Sequence, residues 1–218
     1  MEFYHVLNRG IDKRNVVLND GDRMRFINSL YTFNDRKPAQ NFVLQKRSVL
    51  PEEEGRNQLV YLHAWCLMNN HYHLLLSPVE DDLANLSLFM KKLNMGYTKY
   101  FNEKYDRSGY LWQGKYKKIH IERDAHFNYI PHYIHLNPLD YSQPKWRLGK
   151  VLNVTNAIKS IGKYKWSSYL DYSGEVNFPN LIDKEVLKDT LGSKRDQENQ
   201  LVGIISDFQK AKSSNFIE

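Results

Sequence analysis

The segment Ala64-Trp65-Cys66-Leu67-Met68-Asn69-Asn70-His71-Tyr72-His73-Leu74-Leu75-Leu76 lies between two apolar runs, residues 59–68 and 72–79, divided by Asn69-Asn70-His71. Each run has the length of a strand, and the polar break between them has the composition of a tight turn. The pair therefore reads as two adjacent antiparallel strands. Working outward, residues 3–8 form a further short strand, ended by Arg9-Gly10. A turn around Asn19-Asp20-Gly21 then precedes a helical pattern through Met24, Phe26, Ile27, Leu30 and Tyr31. Downstream, Asp81-Asp82 places negative charge at a helix start, and Leu83, Leu86, Phe89, Met90, Leu93, Tyr97 and Phe101 recur at helical spacing. Residues 117–122 alternate as a strand does. Asp124 can cap a last helix, which runs to Asn137 and is stopped by Pro138.

The order βαββαβα predicts an α+β fold, an antiparallel sheet with helices packed on one face in the manner of ferredoxin-like and RRM-like domains. Residues 1–140 make up this core. Residues 36–58 are polar, carry Pro38, Pro51 and Glu52-Glu53-Glu54-Gly55, and read as an inserted excursion with one short strand at 42–44. Residues 141–218 read as an accessory, mostly helical C-terminal extension. It contains Trp166-Ser167-Ser168-Tyr169 and helical patterns at 184–191 and 197–210.

Among 218 residues, 41% are hydrophobic and aromatic side chains are abundant, a composition that excludes a disordered or fibrous chain. No stretch approaches the roughly 20 apolar residues of a membrane helix, so a soluble, cytoplasmic protein is expected. The single cysteine, Cys66, excludes an intrachain disulfide; it reads as core filler, with a catalytic thiol as the other reading. Net charge is +6, and residues 91–118 hold eight basic side chains against two acidic ones. Cations interleaved with Tyr97, Tyr100, Phe101, Tyr105, Tyr110, Trp112 and Tyr116 suit phosphate contacts and base stacking on unpaired nucleotides. An amphipathic helix and strand, with rings inward and lysines in solvent, would produce the same pattern.

His71 and His73 sit at i and i+2 of a strand, so both imidazoles point to one face and can converge on one ion. A lone His-x-His pair on a surface strand looks the same. Tyr133 and Asn137, at i and i+4, share one helix face. An amide oxygen beside two imidazoles, with coordination positions left open for phosphate, suits Mg2+ or Mn2+ better than a closed zinc site. Arg9, Arg14, Lys115, Lys118 and Trp112 are candidate DNA contacts, and solvated surface charge is the competing reading for the four cations.

Four motifs carry a family resemblance. They are His5-Val6-Leu7-Asn8-Arg9-Gly10; the 64–76 segment quoted above; Gly109-Tyr110-Leu111-Trp112-Gln113-Gly114-Lys115-Tyr116; and Tyr133-Ile134-His135-Leu136-Asn137-Pro138. In this order they resemble the single-tyrosine HUH transposases (IS200-like) and, within them, the REP-associated tyrosine transposases, over about residues 3–140. The resemblance implies His71 and His73 as metal ligands, Asn137 as the third ligand and Tyr133 as the nucleophile. It also implies a divalent metal, Mg2+ or Mn2+, single-stranded or hairpin DNA as substrate, and nicking and rejoining through a 5′-phosphotyrosine. Some relatives are dimers, which leaves room for a homodimer. Pro131, two residues before Tyr133, removes a helix hydrogen bond and can start or kink the helix. The alternatives are a non-catalytic nucleic-acid-binding relative and a hydrolase that uses activated water.

Overall fold

In the computed structural model, which describes residues 1–38 and 56–214, the core elements follow the expected order. These are β1 (Phe3–Arg9), α1 (Asp20–Thr32), β2 (Val60–Leu67), β3 (His71–Pro78), α2 (Leu83–Lys104), β4 (Lys117–Ile121) and α3 (Asp124–Leu136). The strands form one antiparallel sheet in the order β2-β3-β1-β4, the ferredoxin-like arrangement. Most of the 36–58 excursion, including the strand expected at 42–44, lies outside the described residues.

Local chemistry sets the helix starts. Asn19 accepts from the Asp22 amide at 3.1 Å and Asp82 from the Ala84 amide at 2.8 Å, each satisfying a donor that the first turn leaves free. Asp124, by contrast, is the first residue of α3, and Arg123 occupies the cap position without a side-chain cap bond. Pro131 does not break α3. The helix runs through it, with the proline ring buried.

Alternation along β3 divides the molecule. Tyr72, Leu74 and Leu76 point into a core shared with Phe26, Ile27 and Leu30 of α1 and with Phe89, Leu93, Tyr97 and Phe101 of α2. Phe26, Tyr72, Tyr97 and Trp112 pack there as a ring cluster with centroids 5.1–6.4 Å apart, mostly tilted or edge-on as aromatic quadrupoles prefer. Gly96 lets α2 pass close to α1, since a Cβ there would lie 2.3 Å from the Phe33 ring.

The third helix departs from the one-face expectation. α3 lies across the opposite side of the sheet, where Ile130 and Ile134 meet Ala64, Cys66, Leu75 and Ile121. Cys66 is fully buried there, and desolvation pushes its thiol well up, which favours the core-filler role.

Beyond Pro138 come α4 (Leu139–Ser142), α5 (Val154–Ile161), α6 (Tyr169–Tyr172), α7 (Glu185–Leu191) and α8 (Lys194–Ser214). α4, α5, α6 and α8 build a second apolar cluster around Trp146, Ile161, Leu201 and Ile205, continuous with Leu136 at the end of α3, while Leu187 and Leu191 of α7 join the cluster under α3. Residues 166–168 run along the outer edge of β2. The Leu67 amide donates to Trp166 O at 2.9 Å and the Ser168 amide to Trp65 O at 3.0 Å. Among the described residues no helix is long and apolar enough to cross a membrane.

Candidate active site

The α3 face of the sheet gathers His5, His71 and His73, all buried. His71 and His73 face the same way because they are two apart on β3, and their ring centroids are 5.1 Å apart. His5 joins them from the neighbouring strand: Leu7 is the register partner of His73, and His5 lies one step along the same face. The His5 and His73 rings stack at 18° with His5 Nε2 2.8 Å from His73 Nδ1. His71 Nδ1 is 2.6 Å from Asn70 Oδ1, and Asn70 Nδ2 donates to Lys13 O at 3.1 Å. Each imidazole of the pair is thus held at Nδ1, which fixes the ring and leaves Nε2 as the nitrogen a metal could take.

Burial sets the charge of these rings. Desolvation lowers His71 to about 4, helped by the positive charge of Arg9. It lowers His5 to about 4 as well, and His73 well below the usual histidine value, with His5 and His71 adding to the effect. All three are neutral near pH 7, the protonation state in which an imidazole can donate a lone pair to a metal.

The turn before β3 is stitched to the loop after β1. The Gly10 amide donates to Asn70 O at 2.8 Å, and the Val16 amide to Asn69 O at 2.7 Å. The histidine end of β3 is therefore held on a rigid base.

Tyr133 and Asn137 arrive from α3. The Tyr133 ring stands edge-on to His73 at 6.0 Å and to His5 at 6.3 Å. Tyr129 stacks on it at 5.9 Å, the packing role its position one turn earlier allows. Asn137 is the C-cap of α3. Its Nδ2 donates to Tyr133 O at 2.9 Å and Ile134 O at 3.1 Å, satisfying carbonyls that the helix end leaves open. With Nδ2 so engaged, Oδ1 of this buried amide is left as the acceptor, and the His71 ring donates to it. The spacing that paired Tyr133 with Asn137, and the strand that paired His71 with His73, meet at one cleft.

One cation here was not visible in the sequence. Arg147, in the extension, donates to Asn137 Oδ1 at 2.7 Å and pairs with Asp140, and its guanidinium lies 5.8 Å from the Tyr133 ring centroid. Its neighbour Trp146 is also 6.3 Å from Tyr133. His132 and His135 turn away from the cleft. Both are buried, and His135 Nε2 is 2.9 Å from Ser168 Oγ of the extension.

The proposed DNA contacts fall in different places. Arg9 is exposed and pairs in register with His71, at the mouth of the cleft. Arg14 lies over the Phe101 ring at 5.6 Å, near the end of α2. Lys118 lies over Tyr4 at 5.0 Å, on the other side of the sheet from His5. Lys115 lines a groove beside α2. Trp112 is 7% exposed, packed in the ring cluster with Nε1 donating to Asn94 O, so it does not project from the surface as a stacking platform. Tyr110, two residues earlier, is 83% exposed.

Among the described residues no group of three or more His, Cys, Asp or Glu side chains forms a metal-holding cluster. The donor set at the cleft is of another composition, two neutral imidazoles and one amide oxygen. That set, with its nitrogens pre-oriented and positions left open, fits a divalent cation that also binds phosphate oxygens.

A family model described as IS200-like transposase matches residues 4–137. No curated protein matches the chain. A solved structure, a REP-associated tyrosine transposase bound to a REP hairpin, aligns with 12% identity and a TM-score of 0.47 over 85% of this chain and 86% of that one.

Proposed function

This chain belongs to the IS200-like transposase family, and from that premise we propose that it is a metal-dependent endonuclease and strand transferase for single-stranded, hairpin-containing DNA in the cytoplasm. The observation that carries this reading is the meeting of Tyr133 and Asn137, one turn of α3, with the His71–His73 face of β3.

Tyr133 Oη is the nucleophile. It attacks the scissile phosphorus, the P–O3′ bond breaks, and the products are a 5′-phosphotyrosine on Tyr133 and a free 3′-OH. A free phenol has a pKa of about 10, so its proton must leave as the bond forms. The linkage keeps the phosphodiester energy, and attack by a 3′-OH reverses the step and joins strands without a nucleotide cofactor. Mg2+ or Mn2+ held by His71, His73 and Asn137 would supply Lewis-acid neutralisation of the phosphate oxygens.

The remaining work falls to the chain. Asn70 and His5 hold the two imidazoles by their Nδ1 atoms. The α3 carbonyls hold the Asn137 amide by its Nδ2, with the oxygen toward Arg147. Arg147 brings a positive charge to the place where phenol and phosphate would meet. Arg9 extends that charge along the cleft mouth.

The test is incubation with labelled hairpin DNA and Mg2+ or Mn2+, followed by denaturing electrophoresis. A denaturation-resistant protein–DNA adduct is expected from the intact chain, and none from Tyr133→Phe. Cleavage that survives Tyr133→Phe would show water, not tyrosine, as the nucleophile and overturn the mechanism.

A further inference from the structure

The outer side of α2 and the loop at 109–116 enclose a groove of about 810 Å3 on the opposite side of the sheet from Tyr133. Its floor is Met90, Leu111 and Trp112, and its rims carry Lys91, Lys99, Lys115, Met95 and Tyr110. Tyr110 is 83% exposed and Met95 62% exposed, so the fold leaves a phenol ring and a thioether in water with little packing to justify either. Among the described residues lining the groove there are three lysines and no carboxylate. Lys99 has a partner in Glu103 at 3.7 Å, but both side chains are solvent-exposed, so the pair is weak and easily exchanged for another anion. The two oxygens of Asn94 in the wall are already engaged, Oδ1 accepting from Tyr72 and its carbonyl from Trp112 and Thr98. What the groove offers a ligand is flat apolar surface and ammonium charge.

We propose that this groove is a second contact for the substrate strand, in which unpaired DNA bases stack on Tyr110 and Met95 while their phosphates pair with Lys91, Lys99 and Lys115. This rests on the DNA reading of the cleft. Aromatic surface next to a row of cations is the combination that holds single strands irrespective of sequence. An apolar peptide would not call for the three lysines.

The groove is also continuous with the cleft. Its loop is pinned to the end of β1, with the Gln113 amide donating to Arg9 O at 2.8 Å and Asn8 Nδ2 to Gly114 O at 3.2 Å. Lys117 follows Lys115 in β4 as the register partner of Leu7, which shares the His5 face. Lys115, Lys117 and Arg9 thus carry positive charge round the sheet edge from groove to cleft, a path that one strand can follow.

The probe is a fluorescein-labelled unpaired oligodeoxynucleotide, read by anisotropy across a salt series, with a second copy carrying 2-aminopurine to report stacking. Tyr110→Ala is expected to weaken binding by ~5- to 100-fold and abolish the quenching of 2-aminopurine. Lys91→Gln, Lys99→Gln and Lys115→Gln together should lower the slope of log K against log salt by about 2. All four positions are on the surface, and thermal melting checks that the fold is kept. Affinity within twofold of the intact chain, with unchanged slope and quenching, overturns the groove. If the intact chain still forms the Tyr133 adduct in that case, the proposed function stands alone. Binding that follows these predictions without any adduct would support the groove and sink the chemistry. A change in light-scattering mass with DNA affinity unmoved would make the groove a contact between copies and overturn the proposal.

Discussion

Tyr72 and its neighbours His71 and His73 lie one residue apart on β3, yet they belong to two differently built halves of the molecule. Tyr72 enters a dry core of interlocked rings, where its hydroxyl finds Asn94 Oδ1 at 2.9 Å. The histidines enter a polar site where each is held at Nδ1 by a hydrogen bond in addition to ring contacts. The strand's period of two lets one segment serve stability on one side and the proposed chemistry on the other. The difference teaches that substitutions one residue apart should fail in different ways.

The largest effect is expected on the dry side. Trp112→Ala removes a ring from the cluster with Phe26, Tyr72 and Tyr97 and should cost about 3–5 kcal/mol, read as a lower melting temperature. A loss below about 1 kcal/mol would mean that the two sides do not differ as described.

On the cleft side the expected loss is of affinity. His5→Phe keeps a ring beside His73 but removes the bond to Nδ1, and Asn70→Ala does the same for His71. Each should weaken Mn2+ binding by ~10- to 100-fold in calorimetry with melting little changed. Unaltered Mn2+ affinity would remove the orienting role given to both residues.

The smallest effect per residue is the response to acid. Burial lowers His132 to about 4 and His135 to about 3. A histidine whose folded pKa is depressed binds more protons unfolded, so its contribution is complete above about pH 6.5 and shrinks as pH falls toward the folded value. Each should lose about 1 kcal/mol between pH 6.5 and 5.5. His135→Gln should flatten the fall in melting temperature over that range; an equally steep fall would place the acid sensitivity elsewhere.

The element order was legible because residues 59–79 and 83–101 carry strong periods, and the shared helix face of Tyr133 and Asn137 was legible from their spacing, while the roles proposed for them came from the family resemblance. The side of the sheet that α3 takes was not, because Ile130 and Ile134 show that α3 has an apolar face without saying which strands it meets. Residues 91–118 were ambiguous for a physical reason: the segment does both things. Tyr97, Phe101 and Trp112 fill the core, while Tyr110 and the lysines stay outside. Arg147 and His5 join the cleft only through tertiary contacts, which no period encodes. The extension, read as accessory, lends the cleft Arg147 and lends Ser168 to both β2 and His135.

Residues 166–168, laid along β2, have a consequence for how the molecule keeps to itself. An unpaired sheet margin is a template for any extended chain, including another copy. Here the chain's own later segment occupies one margin. The other, β4, is short and solvent-facing over Lys117–His120, and Lys117 and Lys118 mark it with charge. One border is sealed and the other guarded, which limits the pairing of one copy's sheet with another's.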